Sequence, residues 1–189
     1  MYLTPSEYEF TIREDVLDAI NDGSTTRQDK AERAAAKFMI SHLSKRYDVV
    51  QIFYIITLYD TSKSYVTGQM VYWKDPGDTD VQHYQVYEAT AAIAPGVDPT
   101  DPAWELTTKR DELVMMYLAD ITNYHFYAAD GPVMNQTVID RYKEARDWVI
   151  GVGRGDILAD LPPSTAEEGD DDYNPDIRFG SRDYEDNYY

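Results

Sequence analysis

The sequence predicts a mainly α fold: a helical bundle of about four helices, an inserted small antiparallel β unit and a flexible acidic C-terminal arm. Three observations predict it. Val138, Tyr142, Ala145, Val149 and Val152 recur at steps of four and three, the spacing of one helical face, and glycines follow at 151, 153 and 155. From about Asp48 the period changes to that of strands, and after Pro163 the hydrophobic pattern stops. These changes divide the chain into a helical domain (residues 1–47 and 108–163), an inserted β unit (48–107) and an arm (164–189).

Thr4-Pro5-Ser6-Glu7 has the grammar of a helix start: a hydroxyl cap, proline at the first helical position and glutamate three residues after the cap. A helix from about Pro5 to Ile20 is expected, with Tyr8, Ile12, Val16 and Ile20 on one face, broken at Asn21-Asp22-Gly23-Ser24. Thr26-x-x-Asp29 opens a second helix whose Ala31, Ala35, Phe38, His42 or Leu43, and Tyr47 form a narrow seam. Val49 to Tyr59, Tyr65 to Trp73 and Tyr84 to Ala89 read as strands, the latter two joined by the turn Asp75-Pro76-Gly77-Asp78. Thr108-x-x-Asp111 opens a middle helix with Leu113, Tyr117, Ile121 and Tyr124 in register, stopped by Asp130-Gly131-Pro132. In the closing helix, Arg141, Lys143, Glu144, Arg146 and Asp147 lie opposite the apolar stripe and Trp148 flanks it. The glycines that follow close a helix, so they are C-cap glycines and not a phosphate-cradling loop, which follows a strand and opens a helix.

Seventeen basic residues against 35 acidic ones give a net charge of −18, which argues against a general DNA-binding surface because phosphate affinity requires a basic patch. An acidic surface still admits a passing duplex, since it repels phosphate and does not stick to it, while composition alone favours the plainer reading that the acidity keeps the protein in solution. With no cysteine there is no disulfide, thiolate zinc site or cysteine nucleophile. The chain has no apolar run of membrane-spanning length, and Met1-Tyr2-Leu3-Thr4 lacks the basic start of a secretion signal, so no membrane association is expected.

No enzyme, metal or cofactor is expected. His42, His83 and His125 stand far apart, and neither Asp78-x-Asp80 nor Asp170-Asp171-Asp172 carries the glycine and distal glutamate of a calcium loop. Gly-x-Ser-x-Gly, Gly-x-x-x-x-Gly-Lys-Ser/Thr and His-Glu-x-x-His are all absent. Asp120, in an otherwise apolar helix, is expected to pair with a basic residue or a backbone group.

In sequence, Arg141, Tyr142, Ala145, Trp148, Val149, Gly155, Ile157 and Leu161 form an RY-x-x-A-x-x-W helix running into a short G-(polar)-(apolar)-x-L tail. This pattern resembles the closing helix of the Mu-like head-to-tail connector proteins of long-tailed bacteriophages. Three more pieces are similar and in the same order: Met1-Tyr2-Leu3-Thr4-Pro5, the helix ending Leu43-Ser44-x-Arg46-Tyr47, and the run from Glu112 through Tyr117, Asp120, Ile121 and Tyr124 to Ala128. Arg178-Phe179-Gly180-Ser181-Arg182-Asp183 resembles the family's tail motif, with glycine and phenylalanine displaced. The resemblance implies a structural subunit of the virion neck at the head-tail junction, assembled in the host bacterial cytoplasm. It implies a ring of twelve copies under the portal protein, continuing the DNA channel with DNA only as passing cargo and offering a platform to a downstream tail or neck protein.

The 60-odd residues between Tyr47 and Thr108 depart from that family, which has a short link there. Tyr65-x-x-Gly68-Gln69-x-Val71-x-Trp73, Tyr84-x-Val86-Tyr87-Glu88-Ala89 and Pro99-Thr100-Asp101-Pro102-x-Trp104 resemble small chitin-binding carbohydrate modules. That leaves a carbohydrate-binding adhesion module as the alternative, with a soluble scaffold or regulator that forms no ring as a third. The expected interface residues are Tyr72, Trp73 and Tyr87 on the insertion and Ile177, Arg178, Phe179, Arg182 and Tyr184 on the arm. In residues 164–189 nine acidic side chains stand against Arg178 and Arg182, too little apolar surface for the segment to order itself without a partner.

Overall fold

The computed structural model describes residues 1–9, 11, 26–78, 84–107, 109–130 and 134–164. Among them are five helices and four strands: α1 (Pro5–Glu9), α2 (Thr26–Leu43), α3 (Val49–Ile52), β1 (Ile56–Leu58), β2 (Met70–Trp73), β3 (Gln85–Ala89), β4 (Trp104–Leu106), α4 (Glu112–Asp130) and α5 (Gln136–Arg154). The architecture is therefore a mix of helices and sheet, and the expectation of a mainly α bundle of about four helices is corrected. The sheet has the order β1-β2-β3-β4 and is mixed, because β1 runs parallel to β2 while the other pairs are antiparallel. The antiparallel unit expected from the sequence is corrected with it.

The start of the chain folds as its grammar requires. The Glu7 amide donates to Thr4 Oγ1 at 3.3 Å and the Thr4 amide to Glu7 Oε2 at 2.6 Å, a reciprocal capping box. Residues 12–25, which carry the rest of the expected first helix and its break, lie outside the described residues.

The run Val49 to Tyr59 is not one strand. Asp48 accepts the Val50 and Gln51 amides at 3.0 and 3.3 Å, so this N-cap turns Val49–Ile52, three of them β-branched, into a helical turn before β1 begins. Asp111 does the same for α4, accepting the Val114 amide at 2.8 Å. Asp111 thus acts as the cap itself, and Thr108 lies outside the described residues. At the other end, α5 starts on Asn135, whose side chain takes the Thr137 amide at 3.1 Å, and stops at Gly155 in the left-handed region, φ 86°. Gly151 and Gly153, expected with Gly155 to close the helix, sit inside α5, and that expectation is corrected for both. A Cβ on Gly153 would strike the His42 backbone carbonyl, which is how α5 approaches the C-terminal end of α2.

Helices α2, α4 and α5 enclose the main core, with Ala35, Ala36, Met39, Leu43, Val114, Leu118, Ile121, Ala145, Val149 and Val152 buried. Met39 occupies the seam position expected for Phe38, which is half-buried. Two smaller clusters flank the sheet: Tyr65, Val71, Ala89, Ile93 and Trp104 on one face, Ile56, Met70 and Val86 on the other. The sheet is tied to the start of the chain, since the Ile56 amide donates to the Met1 carbonyl at 2.9 Å and the Tyr84 amide to Ser6 Oγ at 3.1 Å.

Candidate functional site

Successive strand residues point to opposite faces, and that rule separates the three aromatic residues expected to act together on the insertion. Trp73 and Tyr87 share a face and meet edge to face, ring centres 5.9 Å apart, both half-buried. The Tyr87 hydroxyl donates to Gln85 Oε1 at 2.8 Å, so an amide lies beside the pair. Tyr72 lies on the other face against Tyr84, at 5.6 Å. Its hydroxyl pKa is pushed up by burial, then by Tyr84 and by Glu32 and Asp29 of α2.

The other aromatic landmarks of the insertion are core. Tyr65 and Trp104 are buried and pack edge to face at 5.1 Å, with Tyr59 stacked on Tyr65 at 5.8 Å. Their polar atoms are used internally: Trp104 Nε1 donates to the Val97 carbonyl at 3.2 Å, and the Tyr65 hydroxyl accepts the Asp60 amide at 2.7 Å. Ile177, Arg178, Phe179, Arg182 and Tyr184 of the arm lie outside the described residues.

The helices quoted for the connector resemblance pack side chain against side chain across the α4–α5 seam. Tyr117 and Trp148 pack at 4.9 Å, and Tyr124 and Tyr142 stack at 3.8 Å with 11° between their planes. Between them Arg141 Nε lies 2.7 Å from Asp120 Oδ1, so Asp120 has the basic partner expected of it. Burial pushes the Asp120 carboxyl up, and Arg141 pulls it back down.

Two features escaped the sequence. Glu32 of α2 is buried and accepts the Tyr8 hydroxyl at 2.6 Å and the Tyr2 amide, pinning the first residues of the chain to the core. Burial raises its carboxyl above the ordinary value, offset by the Tyr8 and Tyr2 hydrogen bonds and the N-terminal ammonium, with Asp29 adding to the rise. The second feature is an open cleft of about 670 Å³ between α3, the start of α4 and the segment around Leu161, lined in part by Ile52, Arg110, Leu113, Met116 and Asp160. Arg110 Nη2 donates to Glu7 Oε2 at 3.1 Å and to the Tyr2 carbonyl. The sequence signal for it was slight: Lys109-Arg110 directly before an aspartate-capped helix.

Among the described residues no group of three His, Asp or Glu side chains is placed to hold a metal ion. His42 bonds the Phe38 carbonyl through Nδ1, His125 is half-buried with its pKa lowered by that burial, and His83, Asp80 and Asp170-Asp171-Asp172 lie outside the described residues. No helix of the described residues is long and apolar enough to cross a membrane.

No protein-family model matches the chain, no curated protein matches it, and no solved structure matches it.

Proposed function

We propose that this protein is a structural subunit of a phage neck, with no enzymatic role, in a ring of copies that docks under the portal protein, continues the DNA channel and receives a downstream tail or neck protein. The observation that carries the reading is the set of cross-helix pairs Tyr117–Trp148, Asp120–Arg141 and Tyr124–Tyr142. All six residues belong to the two motifs that resemble the connector family, and each of the six has its partner in the other motif. The net charge of −18 suits a channel wall that lets a duplex pass without holding it. In this reading the protein belongs to the virion, twelve copies form the ring, and DNA is cargo. Electron microscopy of virions from a host producing a tagged copy tests it: density for the tag at the head-tail junction is expected, and tag absent from virions overturns the reading.

One observation favours the carbohydrate alternative. Trp73 and Tyr87 remain half-exposed beside the Gln85 amide, a stacking surface with a hydrogen-bonding edge. Selective retention on chitin oligosaccharides, lost in Trp73→Ala with Tyr87→Ala, would replace the neck reading of the insertion. If the pair contacts protein in the neck, that variant binds no less sugar than the native chain and instead loses later tail components.

A further inference from the structure

The cleft beside α4 holds an incomplete charge arrangement. The Arg110 side chain is only 9% exposed, and its Nη1 is buried without a hydrogen-bond partner. Glu7 and the Tyr2 carbonyl take Nη2 alone. The first turn of α4 lines the same cleft; Asp111 already takes its Val114 amide, while the N–H groups of Glu112 and Leu113 have no intrahelical acceptor. A buried guanidinium nitrogen beside a helix N-terminus calls for a carboxylate oxygen. Asp111, Glu112 and Asp160 also line the cleft, however, and would repel a polyanion. The fitting occupant therefore carries a carboxylate, a cation next to it and apolar side chains for Ile52, Leu113 and Met116.

Asp176-Ile177-Arg178-Phe179 of the arm has that chemistry. In an extended segment Ile177 and Phe179 fall on one side and Asp176 and Arg178 on the other. We propose that this segment of one copy docks in the cleft of the neighbouring copy, Asp176 toward Arg110 and Arg178 toward the acidic rim. The proposal rests on the ring reading above. A neighbour's cleft is favoured over the chain's own because of how the chain leaves it. Asp48 donates its amide to the Pro162 carbonyl and Ser164 donates its amide to the Arg46 carbonyl, each at 2.9 Å. The last described residues thus run from the cleft edge at Leu161 back along Asp48 to Arg46, away from Ile52. From Ser164 to Asp176 an extended chain reaches at most about 40 Å, comparable with the width of a domain of this size.

The chain has no cysteine, so a disulfide test is clean. Full-length Leu113→Cys protein is mixed with a mass-tagged full-length Phe179→Cys protein under mild oxidant, with Val66→Cys, 62% exposed on the β unit, replacing Leu113→Cys as control. A mixed disulfide at position 113 at least about fivefold above the control is expected, because Leu113 is a cleft residue and Val66 is not. The excess should fall to the control level when Asp176→Asn and Ile177→Ala are added to the tagged chain, changes that touch no part of the described core. Equal yields at 113 and 66 overturn the docking site. A chain carrying both Leu113→Cys and Phe179→Cys that closes on itself at high dilution, faster than the mixture crosslinks, overturns the neighbouring-copy occupant. Because the readout is a crosslink between purified chains, it can fail while virion incorporation succeeds, and the reverse, so the two readings stand or fall separately.

Discussion

At the scale of single residues, Glu32 is a buried carboxyl on which two other groups depend. Glu32→Ala leaves the Tyr8 hydroxyl and the Tyr2 amide buried without an acceptor, and a loss of about 2–4 kcal/mol is expected. Its pH dependence has an unusual sign for a carboxyl. The folded pKa lies above the ordinary value of 4.5, chiefly because of burial. The stability Glu32 contributes is therefore fully present below that unfolded value and is lost as pH rises through the folded one. Glu32→Gln cannot ionise, so between pH 4.5 and neutrality it should gain stability relative to the native chain. Urea midpoints of both proteins across that range measure the gain, and a constant gap between them refutes it.

At the scale of elements, the glycines of α5 separate helix termination from helix packing. Gly155 ends the helix by its left-handed backbone, whereas Gly153 admits the His42 carbonyl of α2. Gly153→Ala should destabilise by about 1–3 kcal/mol through overpacking against rigid backbone. At Gly151 an added Cβ meets only the flexible end of Ile157, so Gly151→Ala should change stability by less than about 1 kcal/mol, the helical gain of alanine offsetting the shift. Thermal unfolding of the two variants checks the order, and equal losses would remove the close α2–α5 approach. Helix starts are local in the same way, since Thr4, Asp48, Asp111 and Asn135 each act on amides within three residues, but only the start at Thr4 is read at its capping residue: Asp111 takes the place of Thr108, and no cap is expected at Asp48 or Asn135. Only at Asp48 did the cap compete with a β-branched run that also suited a strand, and there the local pattern misled.

At the scale of the whole molecule, charge governs association. Subunits of −18 repel one another, and a Debye length of about 10 Å at 0.1 M salt shrinks to about 3 Å at 1 M. The isolated protein is expected to sediment as a monomer or small oligomer at low salt and to associate further as salt rises; on the proposed neck reading, the portal would template the full ring. A stable twelve-subunit ring at low salt without portal would refute the templating while leaving the neck role intact.

The sequence by itself determined what depends on neighbours within a few residues or on total charge. That includes the capping box at Thr4, the glycine stop at 155, the buried stripe of α5, the need of Asp120 for a partner and the acidity. Only the tertiary structure decided which distant groups met. The parallel β1–β2 pairing, the contact of Trp73 with Tyr87 across two strands, the burial of Glu32 under Tyr8 and the unpaired nitrogen of Arg110 are such outcomes. Strand alternation already put Tyr72 and Trp73 on opposite faces, but the attachment of the sheet to the start of the chain came from the Met1–Ile56 and Ser6–Tyr84 hydrogen bonds. Those bonds join residues more than 50 positions apart, and no local periodicity encodes contacts whose energy exists only after the chain has closed the loop between them.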